Sequence, residues 1–146
     1  MFLGQFYHTL DEKGRLTIPA RYRDLLVSDG AYILRGFEKN LMVLPSSLFA
    51  IIYKRINQMS MTDPVARLLR RLIFSTAAPV EFDKIGRILI PQFLRDDAAI
   101  LNEAVVVGAG DYIEIWSPEM WSGQIEQLQD AETTATRFAA LDLASG

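Results

Sequence analysis

Shifted by 72 residues, the chain matches itself. His8 to Phe49 falls on Val80 to Trp121 without a gap, laying HTLDEKGRLTIPARYRDLL over VEFDKIGRILIPQFLRDDA. Asp11 and Asp83, Gly14 and Gly86, Arg15 and Arg87, Ile18 and Ile90, Pro19 and Pro91, Arg23 and Arg95, Asp24 and Asp96, and Gly36 and Gly108 are identical. Apolar positions correspond as well: Leu34 with Val106, Leu41 with Ile113, Val43 with Ile115 and Leu44 with Trp116. A match that keeps turn residues and apolar alternation together marks a duplicated structural unit.

Each copy has the same local grammar. A strand, Gln5 to Leu10 or Ala78 to Phe82, runs into D-x-x-G-R, where Asp suits the start of a turn and Gly14 or Gly86 supplies the positive φ of a tight connection. The next strand, Arg15 to Ile18 or Arg87 to Ile90, ends at Ile-Pro, because proline holds the preceding residue extended and suits the first helical position. A short helix follows, Ala20 to Leu26 or Gln92 to Ala98. Paired strands come next, YILRG with LMVL and AVVVG with YIEIW, split by loops at Phe37 to Asn40 and Ala109 to Asp111.

Between the copies, Ser46 or Ser47 is placed to cap a helix reaching about Met59, and Asp63-Pro64 opens another through about Phe74. Ser117-Pro118 opens a third, carrying Trp121, Ile125 and Leu128. Beyond about Asp130 an Ala- and Thr-rich stretch holds only a weak stripe of Phe138 and Leu141, so it is expected to fray. The expected fold class is α+β, mainly β: two tandem β-β-α-β-β repeats packed or interlocked into one barrel-like core with flanking helices, since four short strands cannot hide both faces of a sheet alone. The expected segments are a first repeat at 1–50, a helical connector at 51–74, a second repeat at 75–122, and a helix with an acidic tail at 123–146.

Composition narrows the function. Of 146 residues half are apolar, none is Cys and one, His8, is His. Disulfides, Cys-ligated zinc, iron–sulfur ligation and thiol nucleophiles are thereby excluded, and a two-histidine metal site within one chain with them. The N-terminus lacks a basic-then-apolar leader, and no apolar run approaches the roughly 20 residues needed to span a bilayer, so a cytoplasmic, non-membrane protein is expected. The net charge of −3 conceals a segregation: residues 1–95 hold 14 of the 15 Lys and Arg against 8 acids, whereas residues 96–146 hold Arg137 against 10. Asymmetry of this kind hints at a polyanionic partner for one part of the chain.

DEKGRLTIPARYR, preceded by MFLGQFYHT and echoed by DKIGRILIP, resembles the MraZ family, whose mark is a doubled D-x-x-x-R motif; FSTAAPVEFD and GDYIEIW strengthen the likeness, which covers about residues 1 to 125. The resemblance implies a pseudo-twofold, AbrB-like swapped-hairpin barrel and ring-shaped homo-oligomers, octamer-like in size. It also implies binding to repeated operator sequences in double-stranded DNA, control of the division and cell wall gene cluster, and a nucleoid-associated location.

Within the loops, Lys13 and Arg15 are the foremost DNA-contact candidates, since a guanidinium binds phosphate or donates two hydrogen bonds to guanine O6 and N7. Arg21 and Arg23 on the following helix would extend that surface, and Lys84 and Arg87 are the second copy's candidates. Ile85 stands where the first loop has Lys13, so the second loop is expected to be the poorer phosphate contact and to serve packing between subunits. The residues alone leave a second reading open, in which Asp11 pairs with Arg15 and Asp83 with Arg87 only to lock each hairpin, with Gly14 and Gly86 completing the turns. The resemblance favours both roles, with Asp11 orienting the loop.

Other conspicuous residues have plainer readings. Arg67, Arg70 and Arg71 form the polar or interfacial face of an amphipathic helix; His8 packs on its strand; Trp116 and Trp121 bury core or interface area. Asp11-Glu12 is a carboxylate pair without a histidine or metal partner, and no G-x-G-x-x-G, Walker A or H-E-x-x-H motif occurs. No catalytic site, cofactor, metal or small-molecule substrate is expected. The rival to a DNA-binding regulator is a non-catalytic scaffold or protein-interaction ring in which the loops are structural.

Overall fold

A computed structural model describes residues 1–143. The first copy comprises β1 (Gln5–Thr9), β2 (Arg15–Thr17), α1 (Ala20–Asp29), β3 (Ala31–Arg35) and β4 (Leu41–Pro45), and the helices α2 (Ser46–Asn57) and α3 (Pro64–Thr76) lead out of it. The second comprises β5 (Ala78–Pro79), β6 (Arg87–Leu89), α4 (Gln92–Asp97), β7 (Glu103–Gly108) and β8 (Ile113–Trp116), followed by α5 (Pro118–Gln129) and α6 (Ala131–Ala139). The class is α+β, as expected, and its β part is the core: helices hold more of the described residues than strands, but they lie outside the sheet.

The strands form an antiparallel six-stranded sheet in the order β1-β7-β8-β4-β3-β5, and a two-stranded ladder, β2-β6. Exchanging the copies, strand for strand, turns that order into its own reverse. The first strand of each copy therefore pairs with the third strand of the other, β1 with β7 and β5 with β3, while β4 meets β8 at the centre. Tandem repeats that could have folded side by side are interlocked, and an isolated bridge at each hairpin, Leu10 with Leu16 and Phe82 with Ile88, carries the sheet round into the ladder.

Alternation along the strands fills the space between ladder and sheet. Leu16, Ile18, Ile88 and Ile90 point in from one layer, and Ile33, Val43, Val106 and Ile115 from the other, all at most 1% exposed. Tyr22 plugs one side of this core, fully buried, with Phe2 and Phe6 edge-on to its ring at 5.3 and 5.4 Å and its hydroxyl donating to the carbonyls of Leu3 and Gly4. On the outer face of the sheet, α2 and α3 close over Leu34, Met42 and Leu44, and α5 closes over Val105, Val107 and Trp116.

Four local expectations change. The gapless alignment slips by one residue across the third strands, because Ile33 and Val106 both point into the core whereas Leu34 points out. The pairing tells the same story: Ile33 faces Val43, and Val106 faces Ile115. An extra residue before β7, where Ala99 takes φ +55°, is offset by a hairpin loop one residue shorter, closed by Ala109 N–H to Tyr112 O at 2.9 Å rather than Gly36 N–H to Asn40 O at 2.9 Å. A one-residue shift reverses every side chain of a strand, so the compensation had to be complete within the hairpin.

Helix α2 is not capped by Ser46 or Ser47. Pro45 holds the cap position, and Asp29 at the end of α1 accepts from the backbone N–H and hydroxyl of Ser47 at 3.0 and 2.7 Å. The strand expected over Ala78 to Phe82 is reduced to Ala78–Pro79, followed by a single further bond from the Val80 N–H to Ala31 O at 2.9 Å. The stretch expected to fray after Asp130 forms α6. Asp130 Oδ1 accepts from the backbone N–H groups of Glu132 and Thr133 at 3.1 and 3.3 Å, and Oδ2 from the Thr133 hydroxyl at 2.7 Å. The last part of the expected 123–146 segment, residues 144–146, lies outside the described residues.

Candidate nucleic-acid interface

Both D-x-x-x-R turns fold to one hydrogen-bonded design. In the first, Asp11 Oδ1 accepts from the backbone N–H of Lys13 at 3.0 Å and of Arg15 at 2.8 Å, and Oδ2 takes the Arg15 Nε–H at 2.6 Å. In the second, Asp83 Oδ1 accepts from Ile85 and Arg87 at 3.1 and 2.9 Å, and Oδ2 from Arg87 Nε at 2.8 Å. Gly14 and Gly86 close the turns at φ +85° and +84°, a region open to glycine and strained for other residues. The backbone N–H of Arg15 holds the Asp11 carboxyl below its ordinary range; burial opposes this, and the Arg15 guanidinium and the Lys13 N–H add to the lowering. The Arg87 N–H does the same for Asp83. Both carboxylates are ionised at neutral pH and orient the arginine beside them.

The ladder then fixes the turns relative to each other. β2 and β6 run antiparallel with Arg15 opposite Leu89, Leu16 opposite Ile88 and Thr17 opposite Arg87. With Leu16 and Ile88 buried, alternation places Arg15 and Arg87 together on the outer face. The turns cross-link through their glycines: Ile90 N–H donates to Gly14 O at 3.0 Å and Ile18 N–H to Gly86 O at 3.2 Å. Arg87 Nη1 also reaches across to Asp11 Oδ2 at 3.3 Å, giving one carboxylate two guanidiniums.

Of the candidates, Lys13, Lys84 and Arg21 are exposed, and Arg21 lies over the Phe6 ring at 5.6 Å, a cation–π distance. Arg23 is half-buried and turned toward the opposite copy, where its guanidinium fills the space a side chain at Gly86 would take. Arg95, which lies outside the D-x-x-x-R motifs, makes the symmetric contact, packing over Gly14 with its Nε donating to Ile90 O at 3.0 Å. The available signal was the identity of Arg23 and Arg95 in the self-alignment. What the sequence could not convey is that each arginine serves the other copy's turn. These glycines are therefore required twice, by φ and by the guanidinium on top of them.

The remaining conspicuous residues are engaged in packing. Arg70 ties α3 to the end of α2 by Nη1 to Asn57 Oδ1 at 2.9 Å and Nη2 to Ile56 O at 3.3 Å, and Arg67 donates to Met61 O at 3.0 Å. Trp116 is buried, and Trp121 Nε1 donates to Gln5 Oε1 at 2.8 Å. His8 is half-buried on β1, opposite Ala104. Among the described residues no helix is long and apolar enough to cross a membrane.

The fold and the site together define a class: tandem swapped-hairpin proteins that present two carboxylate-braced basic turns on one ladder. The profile of the MraZ protein family, described as antitoxin-like, matches the chain twice, over residues 1–72 and 73–143. The chain belongs to the MraZ family. It is 44% identical over 142 residues to a transcriptional regulator MraZ of Thermomicrobium roseum, covering 97% of this chain and 99% of that one. It is 46% identical over 130 residues to that of Herpetosiphon aurantiacus, covering 89% and 90%. To that of Leuconostoc mesenteroides it is 40% identical over 144 residues, covering 98% and 100%.

Proposed function

We propose that this protein is a sequence-specific DNA-binding transcriptional regulator, a repressor acting on repeated operator DNA upstream of division and cell wall genes, which it grips through the Lys13/Arg15 loops of a ring-shaped homo-oligomer. The observation that carries the reading is the way Asp11 holds Arg15. The carboxylate takes the Nε edge, while Nη1 and Nη2 have no protein partner among the described residues, and the side chain stays 34% exposed. A guanidinium braced on one edge with the other facing water is pre-organised for a phosphate or the O6 and N7 of guanine. Lys13 at the exposed tip adds a phosphate contact, and Arg21 flanks it.

One subunit offers few such contacts, and affinity rises with the number of phosphates neutralised. Several loops meeting successive repeats make each later contact intramolecular, so avidity exceeds single-site affinity by about 10² to 10⁴. The regulator reading needs no catalytic group, and it places the protein with DNA in the cytoplasm. Fluorescence anisotropy of Arg15→Ala on repeat-containing DNA across a salt series tests it: weaker binding and a shallower salt slope are expected, and unchanged binding removes Arg15 from the mechanism.

A second reading, a scaffold with purely structural loops, draws on Arg87, which spends Nε on Asp83 and Nη1 on Asp11 and is only 24% exposed. A folded oligomer that ignores DNA at low salt would favour it.

A further inference from the structure

The outer face of the β2-β6 ladder carries four side chains, Arg15 and Thr17 from the first copy and Arg87 and Leu89 from the second. Strand alternation accounts for the direction of all four but not for the chemistry of the last. Leu89 is 57% exposed on a face it shares with two guanidiniums. Thr17 stands at the equivalent position of the first copy, 72 residues earlier, so the shared frame does not require a leucine there. The tips differ in the same sense, with Lys13 in the first turn and Ile85, 65% exposed, in the second. The face is thus charged and polar on one side of its pseudo-twofold axis and partly apolar on the other.

Leu89 lies directly across the ladder from Arg15, and cross-strand neighbours hold their Cβ atoms about 4.5–5.5 Å apart. Together with Arg87, Phe82, Asp83 and Glu81 these two residues line a shallow hollow of about 190 Å³. Asp83 is occupied in bracing its own turn, and Glu81 is exposed and repels phosphate, so the hollow favours a base edge over the backbone of a nucleic acid. The major groove of B-DNA admits a two-stranded β-ribbon, and among the base edges it displays is one apolar group, the thymine 5-methyl. Successive bases are about 3.4 Å apart along the axis, so a guanidinium and an isobutyl group one strand apart meet the same base pair or the next.

We propose that Leu89 is a specificity-determining residue that packs on a thymine 5-methyl in the major groove, beside the group met by Arg15. The inference rests on the DNA-binding reading above and deepens it by naming one base contact. Thr17 presents a single methyl and a hydroxyl at the equivalent position, so the two copies read unlike bases and the face has a direction on the duplex.

Fluorescence anisotropy of the full chain on two duplexes of one sequence, taken from upstream of the division and cell wall genes, tests it. One duplex carries thymine and the other deoxyuridine, which lacks only the methyl. The parent is expected to bind the deoxyuridine duplex at least about fourfold more weakly, the worth of one buried methyl-sized group. Leu89→Ala, at an exposed site and with its folding checked by thermal melts, is expected to bind thymine DNA as weakly as the parent binds deoxyuridine DNA and to have no preference between the two. Leu89→Gln, which keeps the length and loses the apolar surface, is expected to do the same, and Leu89→Met to restore the preference. A parent indifferent to the methyl overturns the assignment and leaves the DNA reading standing, as does a preference that persists in Leu89→Ala and vanishes in Thr17→Ser. A native mass altered by Leu89→Ala would make the residue a subunit contact and overturn it likewise. A parent that binds neither duplex overturns both readings.

Discussion

The turns at Asp11–Arg15 and Asp83–Arg87 share every backbone hydrogen bond and the same left-handed glycine, yet they present different chemistry at the tip. The first offers Glu12-Lys13 and an arginine with a free edge; the second offers Lys84-Ile85 and an arginine held by two carboxylates. The conformation is set by Asp, Gly and Arg, none of which differs between copies. The two positions between Asp and Gly bear no part of it except a backbone N–H. They can therefore diverge without cost to the fold, and this separation of frame from tip lets a duplicated motif divide its labour.

The most severe way to break the comparison is to attack what the turns share. Leu16→Ala and Ile88→Ala remove facing side chains of the ladder, both essentially fully buried, and each is expected to cost about 2–5 kcal/mol in urea denaturation. The double variant should cost less than the sum, because the residues line a common space. Clearly unequal single costs would refute the equivalence of the copies.

Next come the glycines. Gly14→Ala and Gly86→Ala each force a side chain into a left-handed conformation and into a guanidinium, for about 1–3 kcal/mol. A cycle of Gly14→Ala with Arg95→Ala should be non-additive, relieving the collision and leaving the φ strain, whereas Gly14→Ala with Arg23→Ala should add. The reverse pattern would mean that each arginine serves its own turn.

Exchanging the tips sharpens the contrast without touching the frame. Lys13→Ile should weaken DNA binding by about 1 kcal/mol or more at low salt, as loss of a charged contact does. Ile85→Lys should strengthen it only if the second turn reaches DNA, and unchanged anisotropy there would assign that loop to packing.

The smallest effect is in acid. Both Asp11 and Asp83 titrate below the ordinary carboxylate range, so their stabilisation is fully present at neutral pH and is lost as pH falls below about 4, through the folded-state values. Asp11→Asn and Asp83→Asn should each flatten the acid limb of a melting-temperature profile by similar amounts. A steeper limb in either variant would contradict the sign.

Much of this was legible because turns and alternation are local. Asp11, Gly14 and Pro19, repeated as Asp83, Gly86 and Pro91, located both hairpins and both short helices. The one-residue slip of β7 was hidden because an added and a deleted residue cancel in the alignment, and only the inward direction of Val106 exposes it. Helix α6 was missed because its cap, Asp130 with Thr133, is a polar signal with little apolar periodicity behind it. The role of Arg95 lay beyond any local pattern, since its partner Gly14 is 81 residues away and on the other copy.

The strand exchange also bears on how the chain is made. β1 leaves the ribosome first but is paired by β7, whose residues 103–108 follow after about a hundred more have been synthesised, some five to twenty seconds at about 5–20 residues per second. Through that interval the nascent half-molecule has an unclosed edge. Neighbouring chains on one polysome carry the same edge, so a strand borrowed from a sibling competes with the strand still to come, and translation speed becomes part of what selects a correctly closed monomer.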